Sequence, residues 1–162
     1  MAIRQSKKYD HDIEGYNGRL DAIQAGLLRV KLKHFTRWNE QRRECARRYN
    51  ELLAPMKGLI GTPYEPAWSK PVYHLYVIRT ACREALQKHL TQAGIGTGIH
   101  YPIPVHLQKA YASHNWKRGD LPVSEEAADQ ILSLALYPGL QEEQQGRVAE
   151  AIAEFSEIYS VT

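Results

Sequence analysis

The segment Leu20–Leu32, LDAIQAGLLRVKL, constrains this chain more than any other. Leu20, Ile23, Leu27 and Val30 recur at helical spacing and form one apolar face. Ala25, Leu28 and Leu32 form a second. An ordinary surface helix carries one apolar stripe, turned to the core. Two faces predict burial on two sides, such as a core on one and a partner subunit on the other. The helix is expected from about Arg19 to Leu32. It is introduced by Gly15-Tyr16-Asn17-Gly18-Arg19, where two glycines let the backbone turn tightly and approach a ligand. Asn17 and Arg19 then sit ahead of a helix N-terminus, whose free N–H groups favour an anion such as phosphate. The alternative is that Asn17 is simply a cap or turn residue.

A second helix is predicted over 36–53, with Thr36 as N-cap and Pro55 as stop. Its apolar stripe is Trp38, Cys45, Tyr49 and Leu52, flanked by Arg42, Ala46 and Leu53. Arg42 is therefore expected to be half-buried and to need a carboxylate or carbonyl partner. Further along, 72–79 (VYHLYVIR) reads as a strand. A helix over 82–93 follows, with Leu86 and Leu90 inward and Gly94 just past its end. IGTGIHY (95–101) reads as a strand loosened by glycines, followed by a Pro-braced turn and a short helix near 106–112. Ser124 is expected to cap a helix, LALYPGL (134–140) to form a strand and turn, and 141–158 to form the last helix. This order predicts an α+β domain: two N-terminal helices, then a small, mostly antiparallel sheet covered by helices. The 162 residues suffice for one domain, divided into a helical interface segment, 1–57, and a small α+β domain, 58–162.

Charge is distributed unevenly. Arg29 to Tyr49 holds eight Lys/Arg against Glu40 and Glu44, while Asp120 to the end holds nine acids against Arg147. The basic half could attract phosphates, but solvated helix faces of opposite sign are the simpler reading. Arginines on helix 36–53 spread around the wheel, which argues against a nucleic-acid surface. Apolar runs are too short to span a bilayer and no leader pattern is visible, so a cytoplasmic protein is expected. Cys45 and Cys82 lack metal-like spacing.

Several chemistries have no foothold. There is no GxGxxG, no GxxxxGK[ST], no HExxH and no GxSxG elbow. His100, Tyr101 and His106 lack a nearby Cys or carboxylate in sequence to complete a metal shell. His100-Tyr101-Pro102 ends the predicted strand and enters a rigid turn, which suits a cleft but equally suits a packed strand end. Tyr73, Tyr76, Trp68 and Trp116 read as core or rim packing.

KYDHDIEGYNGRLDAIQAGLLRVKL, RRECARRYNELL, VYHLYVIR, LTQAGIGTGIHYPIPVHLQKAY and GDLPVSEEAADQILSLALYPGL, in that order, resemble the C-terminal part of the DegT/DnrJ/StrS family of pyridoxal-phosphate-dependent nucleotide-sugar aminotransferases. Ala135 stands where the family often has Pro. The resemblance implies the small domain of a fold-type I aminotransferase. It implies that Asn17, with Arg19, reaches the cofactor phosphate of a neighbouring subunit, and that His100 and Tyr101 lie near the sugar-nucleotide site. The family's Schiff-base lysine follows a Ser-Phe pair, which this chain lacks, and Lys7 and Lys8 lie too far along to correspond to it. The chain is accordingly expected to hold no catalytic residue, to bind no pyridoxal phosphate alone, and to work as a homodimer or with a large domain on a nucleotide-sugar. A free-standing dimerisation or partner-binding module derived from the family is the alternative.

Overall fold

The computed structural model describes residues 5–7, 10–13, 15 and 20–159. In chain order the elements are β1 (Gln5–Lys7), β2 (Asp10–His11), α1 (Ala22–Leu32), α2 (Phe35–Leu53), β3 (Tyr76–Arg79), α3 (Arg83–Gln92), α4 (Pro122–Gln130), β4 (Ile131–Leu134) and α5 (Glu142–Tyr159). The chain divides into two compact units, 1–32 with 100–129, and 33–99 with 130–162.

The second unit is built on the antiparallel pair β3–β4, in register from Tyr76↔Leu134 to Arg79↔Ile131. α2, α3 and α5 supply the apolar side chains that close its core. Tyr49, Leu53, Tyr76, Ile78, Leu86, Leu90, Leu132, Ile152 and Phe155 are at most 2% exposed. On α2, Cys45, Ala46, Tyr49 and Leu53 are buried, as the 3.6-residue stripe requires. A polar bridge joins α2 to α5: Arg48 donates to Gln145 Oε1 at 2.8 Å and to Glu142 at 2.6 Å, and Gln145 Nε2 donates to the Cys45 carbonyl at 2.8 Å. Gln145 is wholly buried, with its amide oxygen and nitrogen each holding a partner, as a buried amide requires.

Arg42 is half-buried, and its partners are carbonyls. Nη1 donates to Tyr73 O at 3.1 Å, His74 O at 3.4 Å and Leu136 O at 3.2 Å. Two further arginines of α2 are neutralised locally, Arg43 by Glu40 and Arg47 by Glu44 and Glu51. Arg43 and Lys70 together pull the Glu40 carboxyl down to about 2. The 42–51 stretch of the basic block is thus a helix surface laced with ion pairs.

Several expectations are corrected. α2 begins at Phe35 with His34 at the cap position, so Thr36 lies inside the helix; the His34 and Trp38 rings, one turn apart, meet at 5.4 Å. β3 begins four residues later than predicted because Tyr73 adopts φ +45°, a left-handed conformation incompatible with a strand. The strand expected over 95–101 is reduced to one bridge, Gly98 with Ser133. Glycines at 96 and 98 contribute no side chains to hold a longer pairing. The second strand of the sheet is 131–134, not 134–140; Leu132, Ser133 and Leu134 are all buried, so no alternation marks it in the sequence. The 106–112 helix is replaced by two 3-10 turns, Val105–Leu107 and Lys109–His114. Trp68 is not packed at all but is 88% exposed.

The first unit holds the β1–β2 hairpin, α1, the segment 100–121 and most of α4. α1 departs most from expectation: none of its residues is buried. Leu20, Ile23, Leu27, Leu28, Val30 and Leu32 are all exposed. Among the described residues, neither apolar face of α1 is covered. No helix among the described residues is long and apolar enough to cross a membrane.

Candidate functional site

Asn17 and Arg19 lie outside the described residues. His100 and Tyr101 are described, in the first unit. His100 is half-buried, Tyr101 is exposed, and the rings meet edge to face with centroids 5.8 Å apart. An imidazole and a phenol side by side offer donors and acceptors suited to hydroxyls and phosphate oxygens. Pro102 and Pro104 fix φ on the C-terminal side of the pair and give the rim a stiff backing.

His106 does not join this rim as a ligand-facing group. It is buried, and its Nε2 lies 2.9 Å from Glu125 Oε1. Glu125 is itself buried, and its carboxylate also accepts from Gly119 N–H at 2.9 and 2.8 Å and from Leu121 N–H at 3.3 Å. Trp116 packs edge-on against the His106 ring at 6.4 Å. In the sequence, Glu125 is one of two adjacent acids just past a helix start, where the positive end of the helix alone accounts for them. α4 starts earlier than expected, with Pro122 in its first turn, which leaves Ser124 inside the helix and turns Glu125 back toward the preceding loop. The missed signal is the pattern of a helix-starting Pro followed three residues later by Glu, a capping-box-like arrangement.

Burial works against the charge on Glu125, but hydrogen bonds from Gly119, His106 and Leu121 outweigh it and hold the carboxyl below its ordinary value. A carboxyl whose folded pKa is depressed stabilises fully above its unfolded value, about 4.3, and that stability is lost as pH falls through the folded value. Acidification below the ordinary glutamate range is therefore expected to loosen the 105–121 loop. Trp116 fluorescence, read in a chain with Trp38 and Trp68 replaced by Phe, should change in that acid range in wild type and show no such step in Glu125→Gln.

The second unit has an open cleft of about 630 Å³ between the 57–64 segment and the end of β3, lined by Lys57, Tyr64 and Arg79 among others. It contains none of the sequence-predicted site residues.

Identity follows from comparison. A sequence profile of the DegT/DnrJ/EryC1/StrS aminotransferase family matches residues 1–153. The chain belongs to that family. It is 48% identical over 149 residues to a protein of Geobacillus stearothermophilus called pleiotropic regulatory protein, covering 91% of this chain and 40% of that one. It is 43% identical over 151 residues to the dTDP-3-amino-3,4,6-trideoxy-alpha-D-glucose transaminase of Streptomyces venezuelae, covering 93% and 40%. The crystal structure of S. venezuelae DesV matches with a TM-score of 0.81 at 42% identity, over 94% of this chain and 41% of that one. The chain thus spans about 40% of the length of these relatives. That share accords with the C-terminal part of a family member, and the α+β architecture agrees with the fold expected from the family.

The family implies pyridoxal phosphate, so the described residues can be tested against it. The cofactor needs an amine held in a desolvated pocket, where its pKa falls enough to form a Schiff base. Lys31, Lys33, Lys57, Lys70, Lys88, Lys109 and Lys117 are all exposed. None of these seven lysines, the ones whose side chains are described, sits in such a pocket.

Proposed function

We propose that this chain is the C-terminal domain of a pyridoxal-phosphate-dependent nucleotide-sugar aminotransferase and is catalytically incomplete alone. The observation that carries the reading is α1. Its apolar residues are of the kind a protein buries, yet all are exposed, and relatives of the same family have a further three-fifths of chain. A complementing large domain, or a second subunit, would cover that face, supply the Schiff-base lysine and complete the cofactor pocket. Asn17 and Arg19 would contribute to the phosphate side of that pocket. His100 and Tyr101 would meet the sugar-nucleotide. In this division of labour the cofactor carries the chemistry, and this domain supplies binding and orientation.

Borohydride reduction of the chain with pyridoxal phosphate, followed by intact mass spectrometry, tests the claim of incompleteness. Scattered substoichiometric lysine labelling is expected. A stoichiometric adduct on one lysine would sink the reading.

The same exposed helix favours a second reading, a free-standing module that self-associates or binds an aminotransferase partner. It predicts a concentration-dependent increase in mass by light scattering that Leu27→Glu reduces. A monomer at the highest attainable concentration counts against it.

A further inference from the structure

We propose that Glu125 is the positioning residue for the His100–Tyr101 rim, fixing the 100–121 segment in the shape in which the two rings meet a ligand. The inference rests on the reading of His100 and Tyr101 as sugar-nucleotide contacts.

Glu125 is 5% exposed and makes no contact suited to free ligand; its carboxylate is spent inward. It gathers three places in the chain. Gly119 and Leu121 donate backbone N–H groups from the loop before α4, and His106 meets it from the 3-10 turn at Val105–Leu107. Glu125 stands in the first turns of α4, so the three are referred to a regular helix rather than to another loop. From His106 the constraint passes back to the rim through 102–105, where Pro102 and Pro104 have fixed φ. Buried Gln108 adds a bond from its Nε2 to Ile103 O at 3.4 Å. The stretch between the clasp and Tyr101 therefore has few free torsions, and holding His106 holds the rim.

Removing the carboxylate leaves the buried His106 ring and the part-buried N–H groups of Gly119 and Leu121 without their shared acceptor. The buried His106 can then reach water only by opening the loop, and the two loop N–H groups turn to solvent, which frees the loop from α4. The effect is local, because all the groups lie within 100–129. A ligand would meet the same His100 and Tyr101, but as an ensemble of arrangements rather than one, and would bind more weakly for that reason.

The experiment uses the full chain in wild type, Glu125→Ala, Glu125→Gln, Tyr101→Phe and the Tyr101→Phe/Glu125→Gln double variant. Hydrogen exchange is read peptide by peptide, and dTDP-glucose serves as the probe in saturation-transfer NMR. Glu125→Ala is expected to speed exchange of peptides within 98–121 by about tenfold or more while β3, α3 and α5 keep their protection. Glu125→Gln keeps the shape and one acceptor oxygen, so it serves if the alanine variant does not fold, and it should show a smaller change in the same peptides. Probe binding should weaken in Tyr101→Phe and in Glu125→Gln, and the double variant should be no weaker than the worse single one, the non-additivity of groups acting through one rim. Unchanged exchange within 98–121, or additive losses of binding, overturns the inference while leaving Tyr101 as a ligand contact. Probe binding that ignores Tyr101, or no probe binding at all, overturns the reading of the rim, and the inference with it.

Discussion

Arg42→Ala should cost the second unit about 2–3 kcal/mol, the scale of losing charge-assisted hydrogen bonds to partly buried carbonyls. One guanidinium nitrogen serves the carbonyls of Tyr73, His74 and Leu136, which come from a loop ahead of β3 and another after β4. Without it the carbonyls at 73 and 136, partly buried, have to be reached by water or left unmet. The bend at Tyr73, with its φ of +45°, then loses the group that closes over it. Arg42→Met keeps the aliphatic stem and removes the charge, so it should recover the packing share of the loss and none of the hydrogen bonding. Urea unfolding followed by far-UV circular dichroism gives the comparison. A loss below about 0.5 kcal/mol in Arg42→Ala, the range of ordinary surface changes, would show that solvent replaces the guanidinium without penalty.

Phe155→Ala is expected to be more damaging, at about 3–5 kcal/mol, the usual range for emptying a buried aromatic site. Phe155 is 2% exposed, its ring lies 5.6 Å from that of His89 on α3, and it stacks on Tyr159 at 4.2 Å. It is the place where α5 meets α3, and backbone on both sides is helical and slow to collapse into the space. At this chain length the loss corresponds to a fall in melting temperature of roughly 6–20 °C. Phe155→Leu, which refills most of the volume, should recover over half of it. A fall of only a degree or two in Phe155→Ala would mean that Tyr159 swings in to fill the site.

Some of this structure can be read directly from the residues, and the reason is local. Cys45 and Tyr49 lie on the apolar stripe, so α2 had to turn that side inward, and the buried face takes in the flanking Leu53 rather than Leu52. Leu86 and Leu90 do the same for α3, and Gly94, at φ +74°, ends it as a glycine past a helix end should. Arg42 was legible as a residue in need of an oxygen because it sits on an apolar stripe. Which oxygens it would find was not legible, since they lie 31, 32 and 94 residues away. The boundaries of β3 and β4 were misplaced for related reasons. A single left-handed residue, Tyr73, shortens the first, and burial on both faces erases the alternation that would mark the second.

The site divides in the same way. His100 and Tyr101, the proposed ligand contacts, are suggested by a His and a Tyr before Pro102 at a predicted strand end, and that strand proved to be one bridge at Gly98. The His106–Glu125 pair was not legible, because 19 residues of loop and turn separate its members.

By itself the sequence determined the helices of the second unit, the inward faces of α2 and α3, and the family, because each rests on spacing within one short segment or on the order of such segments. Only the tertiary structure decided the carbonyl partners of Arg42, the burial of Gln145 and Glu125, and the exposure of both apolar faces of α1 among the described residues. Those depend on which distant segments meet, and a periodicity that says a face wants covering does not say what covers it.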